Sequence, residues 1–201
     1  MKRFWFMALL TLLCLVMALA ISCGNDDDDN DDSGDDDVAT DDDTGDDDQP
    51  TDNVWIDPET GLMWQVDPPA KDKMNWFQAG EYCEGLALGG FTDWRTPTIS
   101  ELRSLIRGCI DTQSDGQCGV TDDCVESTCL LDACRGCTSG TGAVEGCYWP
   151  PELTGECSRS FWTSSTVTNV DYLAWYIVFD RALIFNVVKD HNRYSSTRCV
   201  R

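Results

Sequence analysis

The order of periodic segments predicts an α+β domain over residues 54–201. Three observations carry this: two strand signals at its start, two helix signals with matching caps, and four β-prone runs at its end. Asn53-Val-Trp-Ile-Asp-Pro58 and Thr60-Gly-Leu-Met-Trp-Gln65 read as short strands across a Pro/Gly turn. Asn75 with Gln78 three residues on forms a capping box, and Trp76, Ala79, Cys83 and Leu86 then recur at helical spacing. Thr98 and Glu101 repeat that signature ahead of Leu102, Leu105 and Ile106, with Gly108 as the stop. The runs Phe161–Thr166, Leu173–Phe179, Leu183–Val188 and Ser195–Val200 have the aromatic and branched residues of strands. Asp180-Arg181-Ala182, between the middle two, suits a short hairpin loop.

Charge is spread unevenly along the chain. The 201 residues carry 36 Asp+Glu against 14 Lys+Arg, a formal net charge of −22. Residues 24–53 hold 16 Asp and no basic residue, whereas residues 54–201 hold 20 acidic and 12 basic side chains and seven of the eight Trp. A domain of that size can bury roughly 70% of its unfolded surface in one core. No basic patch is available to neutralise phosphates, so nucleic acid is not an expected partner. A multi-domain enzyme is not expected at this length.

Lys2 and Arg3 precede an apolar run from Phe4 to Ile21 broken only by Thr11, the pattern of an export signal over residues 1–22. Leu19-Ala20-Ile21-Ser22-Cys23 resembles a bacterial lipobox, which makes Cys23 the expected lipidated N-terminus and the membrane the expected partner. Gly24 after that Cys resembles lipoproteins sorted to the outer membrane. The alternative is an uncleaved signal-anchor with an incidental Cys. Residues 23–53 then read as an Asp-rich disordered tether, since a self-repelling segment with almost no apolar surface cannot fold. Its Asp clusters lack the turn and ligand spacing of a calcium loop, so no specific metal site is expected.

Of the 12 Cys, Cys14 leaves with the signal and Cys23 takes the lipid. The remaining ten, in an exported chain, read as five disulfides. Eight of them (Cys109, Cys118, Cys124, Cys129, Cys134, Cys137, Cys147 and Cys157) crowd into residues 109–157; Cys83 and Cys199 lie outside. The simplest partition pairs Cys83 with Cys199 and keeps four bridges inside the cluster. The alternative wires one of the two into the cluster, and sequence does not choose among the 105 connectivities that eight Cys allow. Cys134-Arg-Gly-Cys137 has the spacing of a redox or metal CxxC, but export favours disulfides. Residues 109–157 are rich in Gly, Thr, Ser and Asp and lack long apolar runs, so they read as an insertion that cross-links must stabilise.

Thr60-Gly-Leu-Met-Trp-Gln65, Trp76 to Cys83, Phe91-Thr-Asp-Trp-Arg-Thr-Pro-Thr98 with Glu101-Leu102, Phe161-Trp-Thr-Ser-Ser165, Ala174-Trp175 and Arg198-Cys-Val-Arg201 resemble the Lcl C-terminal domain family. The resemblance spans most of residues 54–201 and is interrupted by the Cys-rich insertion. It implies a C-type-lectin-like fold with two helices, a mainly antiparallel sheet and a disulfide-rich insertion. In that topology the N- and C-terminal strands lie together and Cys83 comes close to Cys199. The best-known relatives are surface adhesins that bind sulfated polysaccharides, and distant ones include sulfatase-modifying oxidases. The Glu/Gln-Pro-Asn/Asp loop and Trp-Asn-Asp strand of calcium-dependent lectins are absent, and the loop that would carry them is only some seven residues long.

Catalytic machinery is not expected. His191 is the only His; it stands beside Asp190 in a polar stretch, and Ser195 and Ser196 follow in a β-prone run. Asp93-Trp94-Arg95 reads as structural, with Trp94 packing and Arg95 tying down a loop. The relatives' paired reactive Cys are reduced here to Cys199. No cofactor is implied. Two functions are expected: a cell-surface lipoprotein presenting a module for polysaccharide or glycoconjugate adhesion, or a structural or protein-interaction module of the envelope without a sugar ligand. Tyr148 and Trp149 in the insertion are the aromatics least needed by the core and the candidates for stacking on sugar; the alternative is that they anchor the insertion.

Overall fold

The computed structural model describes residues 53–69, 73–193 and 195–201. The expected signal peptide, Cys23 and the Asp-rich tether lie outside the described residues. Among those described, no helix is long and apolar enough to cross a membrane.

β1 (Val54–Ile56) and β2 (Met63–Gln65) form the expected antiparallel hairpin, with Trp55 opposite Trp64. Its turn is built on buried Asp57, whose carboxylate accepts from the Glu59 N–H and the Thr60 hydroxyl, both at 3.0 Å. α1 (Trp76–Glu84) and α2 (Ile99–Arg103) both start in complete capping boxes, Asn75 with Gln78 and Thr98 with Glu101. α2 is shorter than expected. Leu105 and Ile106 donate to the carbonyls three residues back, so the last turn tightens and delivers both side chains to the core. The chain then reverses at Gly108, at φ +80°.

β3 (Ser160–Thr166), β4 (Leu173–Val178), β5 (Leu183–Val188) and β6 (Ser195–Ser196) form one sheet in the order β5-β4-β3-β6. The first three strands run antiparallel and β6 lies parallel to β3, so the sheet is mixed. The expected strand Ser195–Val200 is split. After β6 the chain crosses to the hairpin, where Met63 and Arg201 exchange hydrogen bonds at 3.0 and 3.1 Å and Val200 bridges both Trp64 and Arg95. The two ends of the domain are thereby paired with each other. Cys83 on α1 and Cys199 beside β2 close the largest covalent loop, with a sequence separation of 116. In the chain-entropy picture a bridge of that span stabilises by up to about 4–5 kcal/mol.

Alternate residues of the strands serve two layers. Phe161, Trp175, Ile177 and Ile184 pack with Ile99 and Leu102 of α2, and Trp162 and Ala174 pack with Met74 and Ala79 on the α1 side. The insertion does not hang from this core but enters it. Val120, Tyr148, Trp149 and Leu153 belong to the same buried cluster as α2 and the sheet. Its bridges are Cys109–Cys137, Cys118–Cys134, Cys124–Cys129 and Cys147–Cys157. Cys134 and Cys137 therefore pair with different partners and form no redox couple.

Arg103, buried at the end of α2, ties the insertion to the helix. Its guanidinium donates to the carbonyls of Thr112, Cys118, Val120, Gln113 and Gly116 at 2.8–3.3 Å. Asp122 returns the tie: its carboxylate accepts from the Thr98 hydroxyl and the Ser100 N–H at the start of α2. Gly136 runs so close to the β4–β5 turn that a Cβ there would lie 2.0 Å from the Arg181 carbonyl oxygen, at φ +76°.

Candidate functional site

Tyr148 and Trp149 are not a sugar-stacking platform. They are 6% and 3% exposed, and a ring turned inward offers no face to a ligand. Trp149, Phe161 and Phe179 form an aromatic cluster with centroids 5.6–6.0 Å apart, and the Tyr148 hydroxyl donates to the Thr138 carbonyl. A depression of ≈210 Å³ borders Trp149 without uncovering its ring. The Arg198 guanidinium lies 5.0 Å from the Trp149 centroid and donates to the carbonyls of Gln65, Val66 and Thr154. Burial lowers its pKa to about 9, which leaves it charged at neutral pH. The pair anchors the insertion.

The other sequence candidates are also engaged in structure. Ser195 and Ser196 are fully buried in β6. The Ser195 hydroxyl donates to the Arg193 carbonyl at 3.2 Å, and His191 is half-buried with its backbone N–H on the Val188 carbonyl. Trp94 is buried and donates to the Leu88 carbonyl at 3.1 Å. Asp93 pairs with Arg201 at 2.8 and 3.1 Å, and hydrogen bonding from that guanidinium lowers the Asp93 pKa. Arg95 makes a two-pronged bond to Glu101 at 2.6 and 2.7 Å. Burial works to raise Glu101, but the bonds from Arg95 and Thr98 together hold it below the ordinary carboxylate value. The loop from 167 to 172 between β3 and β4 braces the insertion. Thr168 donates to the Val125 carbonyl, and the Asn169 amide exchanges bonds with Ser127. No cluster of metal-ligating side chains occurs among the described residues.

The open surface lies elsewhere, over α1. A cleft of ≈680 Å³ is walled by Trp76, Phe77, Glu81 and Glu84 on the helix and by Arg95, Thr96, Thr98 and Ser164 opposite. Gly80 leaves its floor clear, since a Cβ there would meet nothing. Trp76 is fixed by its indole N–H on the Thr163 carbonyl at 2.8 Å and stands edge-on to Phe77, centroids 5.2 Å apart. Phe77 is 51% exposed. It also borders a second depression of ≈350 Å³, lined by Asp171, Tyr172, Val188, Lys189 and Asp190, in which Tyr172 is 61% exposed.

The charge on this face is unbalanced. Arg95 is committed to Glu101. Lys189 is committed to the Asp171 carbonyl at 2.6 Å and to the Trp76 ring at 4.8 Å. Glu81 and Glu84 form no ion pair among the described residues, and they sit in the last turn of α1, which carries no basic residue. Carboxylates at a helix C-terminus oppose the helix dipole by about 0.3–1 kcal/mol each. Trp76 lies on the apolar stripe that the sequence predicts for α1, and Phe77 stands one position off it. The available signal was Phe77 itself, followed by Gln78, Gly80, Glu81 and Glu84.

An α+β domain held by five disulfides belongs to the class of exported domains, since such bridges form and persist in an oxidising compartment. Residues 53–201 match the Lcl C-terminal domain, and the chain belongs to that family. No curated protein and no solved structure matches it.

Proposed function

We propose that this protein is a cell-envelope lipoprotein whose Lcl C-terminal domain binds polysaccharide or glycoconjugate at the α1 cleft. The observation that carries the reading is Phe77, a large ring held half-exposed beside a fixed Trp in a cleft edged with hydroxyls and carboxylates. Sugars are bound in this way, by stacking of their C–H faces on a ring and hydrogen bonding at the rim. Family membership supports an extracellular role, and the Cys23 lipobox with its acidic tether supplies the anchor to the membrane and the reach away from it. Two or three acyl chains, at about 0.8 kcal/mol per buried methylene, hold a protein stably where one chain does not.

Glycan-array screening of the detergent-solubilised protein tests the ligand class. Retention of a defined saccharide class by the wild type, and its loss in Phe77→Ala with all five disulfides intact, is the expected result. Binding to no saccharide would refute it. For the anchor, incorporation of a fatty-acid analogue should vanish in Cys23→Ser, and equal labelling of both would contradict lipidation.

A second reading, a protein-interaction module without sugar ligand, is favoured by one feature. β5 is the edge strand of the sheet, and although residues 132–135 pack against part of it, it leaves Phe185 and Val188 exposed as an apolar surface for another chain. Pull-down of a protein that saccharides fail to displace, and that Phe185→Lys releases, would select it.

A further inference from the structure

Resting on the glycan reading above, we propose that the two depressions beside Phe77 form one groove, and that its occupant is a chain of amino sugars carrying free ammonium groups.

Phe77 lines both depressions, so a ligand lying in one meets the same ring as a ligand in the other. Phe77, Glu81 and Glu84 follow one another at helical spacing and share a face of α1. That stripe runs about 10 Å along the helix at 1.5 Å per residue, longer than one hexose ring. Tyr172 continues the aromatic surface on the other side of Phe77. The groove therefore fits an extended oligomer better than a single sugar.

Charge selects the kind of sugar. Glu81, Glu84, Asp171 and Asp190 line the groove as four carboxylates, against Lys189 and an Arg95 already paired with Glu101. Glu81 and Glu84 repel each other across one turn and oppose the dipole of their own helix. Such an arrangement costs stability in the empty protein and is relieved by a bound cation. Sulfated chains bring the wrong sign; a neutral chain would leave the carboxylates unanswered. Ammonium groups along a glycan give charge-assisted hydrogen bonds to the carboxylates and a cation over the aromatic faces.

The full-length protein in detergent, titrated by calorimetry in mildly acidic buffer, tests this with three probes of equal length. They are a fully deacetylated β-1,4-glucosamine tetramer, the same tetramer N-acetylated, and a sulfated glycan tetramer. The deacetylated form should bind at least about tenfold tighter than the acetylated one, a difference of about 1.4 kcal/mol. Phe77→Ala should weaken it by about tenfold or more, the scale of a lost aromatic contact. Glu81→Gln with Glu84→Gln should abolish the preference for the amine form, so that the deacetylated and acetylated tetramers bind alike. Equal or tighter binding of the acetylated tetramer, still lost in Phe77→Ala, overturns the amino-sugar assignment and leaves the glycan reading standing. Tightest binding of the sulfated probe overturns the charge argument. Binding of none of the three, together with a blank glycan array, removes both.

Discussion

Tyr148 with Trp149 in the insertion and Trp76 with Phe77 on α1 are adjacent aromatic pairs of the same kind, and the fold puts them to opposite uses. The insertion pair is covered: Trp149 packs on Phe161, Phe179 and the Arg198 guanidinium, and Tyr148 is held by Thr138 and Thr141. The α1 pair is fixed at Trp76 and open at Phe77. A region without apolar runs must borrow a core, and its few large rings are what it inserts. A helix already anchored by Ala79 and Cys83 can leave its neighbouring ring to solvent. Aromatic residues in a polar loop are thus poor evidence of a binding face, and one just off a helix's apolar stripe is better evidence.

The largest expected effect concerns how the insertion joins the core. Arg103→Ala removes the donors to five carbonyls, three of them in fully buried bonds, and should cost more than about 4 kcal/mol, beyond the ordinary range for one substitution. Urea unfolding with the disulfides kept intact measures it; a loss under about 1 kcal/mol would mean the cross-links alone hold residues 109–157.

Next come the aromatic pairs themselves. Trp149→Ala should lose about 3–5 kcal/mol, as a buried ring does. Phe77→Ala should stay within about 0.5 kcal/mol, as for an exposed position. Equal costs would erase the contrast between the two regions.

The third contrast is electrostatic. The folded-state pKa of Glu101 lies below its ordinary value of 4.5, so its stabilisation is complete above that pH and is lost as the pH falls through the folded value. Glu101→Gln keeps the cap acceptor and removes the charge. At neutral pH it should lose about 0.5–1 kcal/mol, discounted because the Arg95 side is exposed. Its melting temperature should converge with that of the wild type on acidification. A constant offset from neutral pH to strong acid would assign the loss to packing.

Much of the fold was legible because its signals are local. Asn75 with Gln78 and Thr98 with Glu101 fix helix starts within four residues, and β3, β4 and β5 follow their own β-prone runs. The Cys83–Cys199 bridge was the simplest partition of the ten Cys, with wiring into the insertion as the alternative, and the structure has the simpler one. Long-range demands were not legible. The strand expected over Ser195–Val200 breaks after Ser196 because Arg198 is drawn into the core by carbonyls 44 to 133 residues away. The insertion's place in the core depends on Arg103, whose five partners are backbone atoms that leave no mark in side-chain identity. The choice for Tyr148 and Trp149 between stacking on sugar and anchoring the insertion stayed open for a related reason: exposure belongs to the packed whole, and the sequence shows only which rings exist.

Hydroxyl-radical footprinting of the folded protein, read by mass spectrometry with and without the deacetylated glucosamine tetramer, tests the contrast most directly. In the free protein Phe77 and Tyr172 should be oxidised readily while Tyr148 and Trp149 stay protected, and the tetramer should protect Phe77 and Tyr172 alone. Ready oxidation of Trp149 in the free protein, or protection by the tetramer that appears at Tyr148 and Trp149 instead of Phe77, would contradict it.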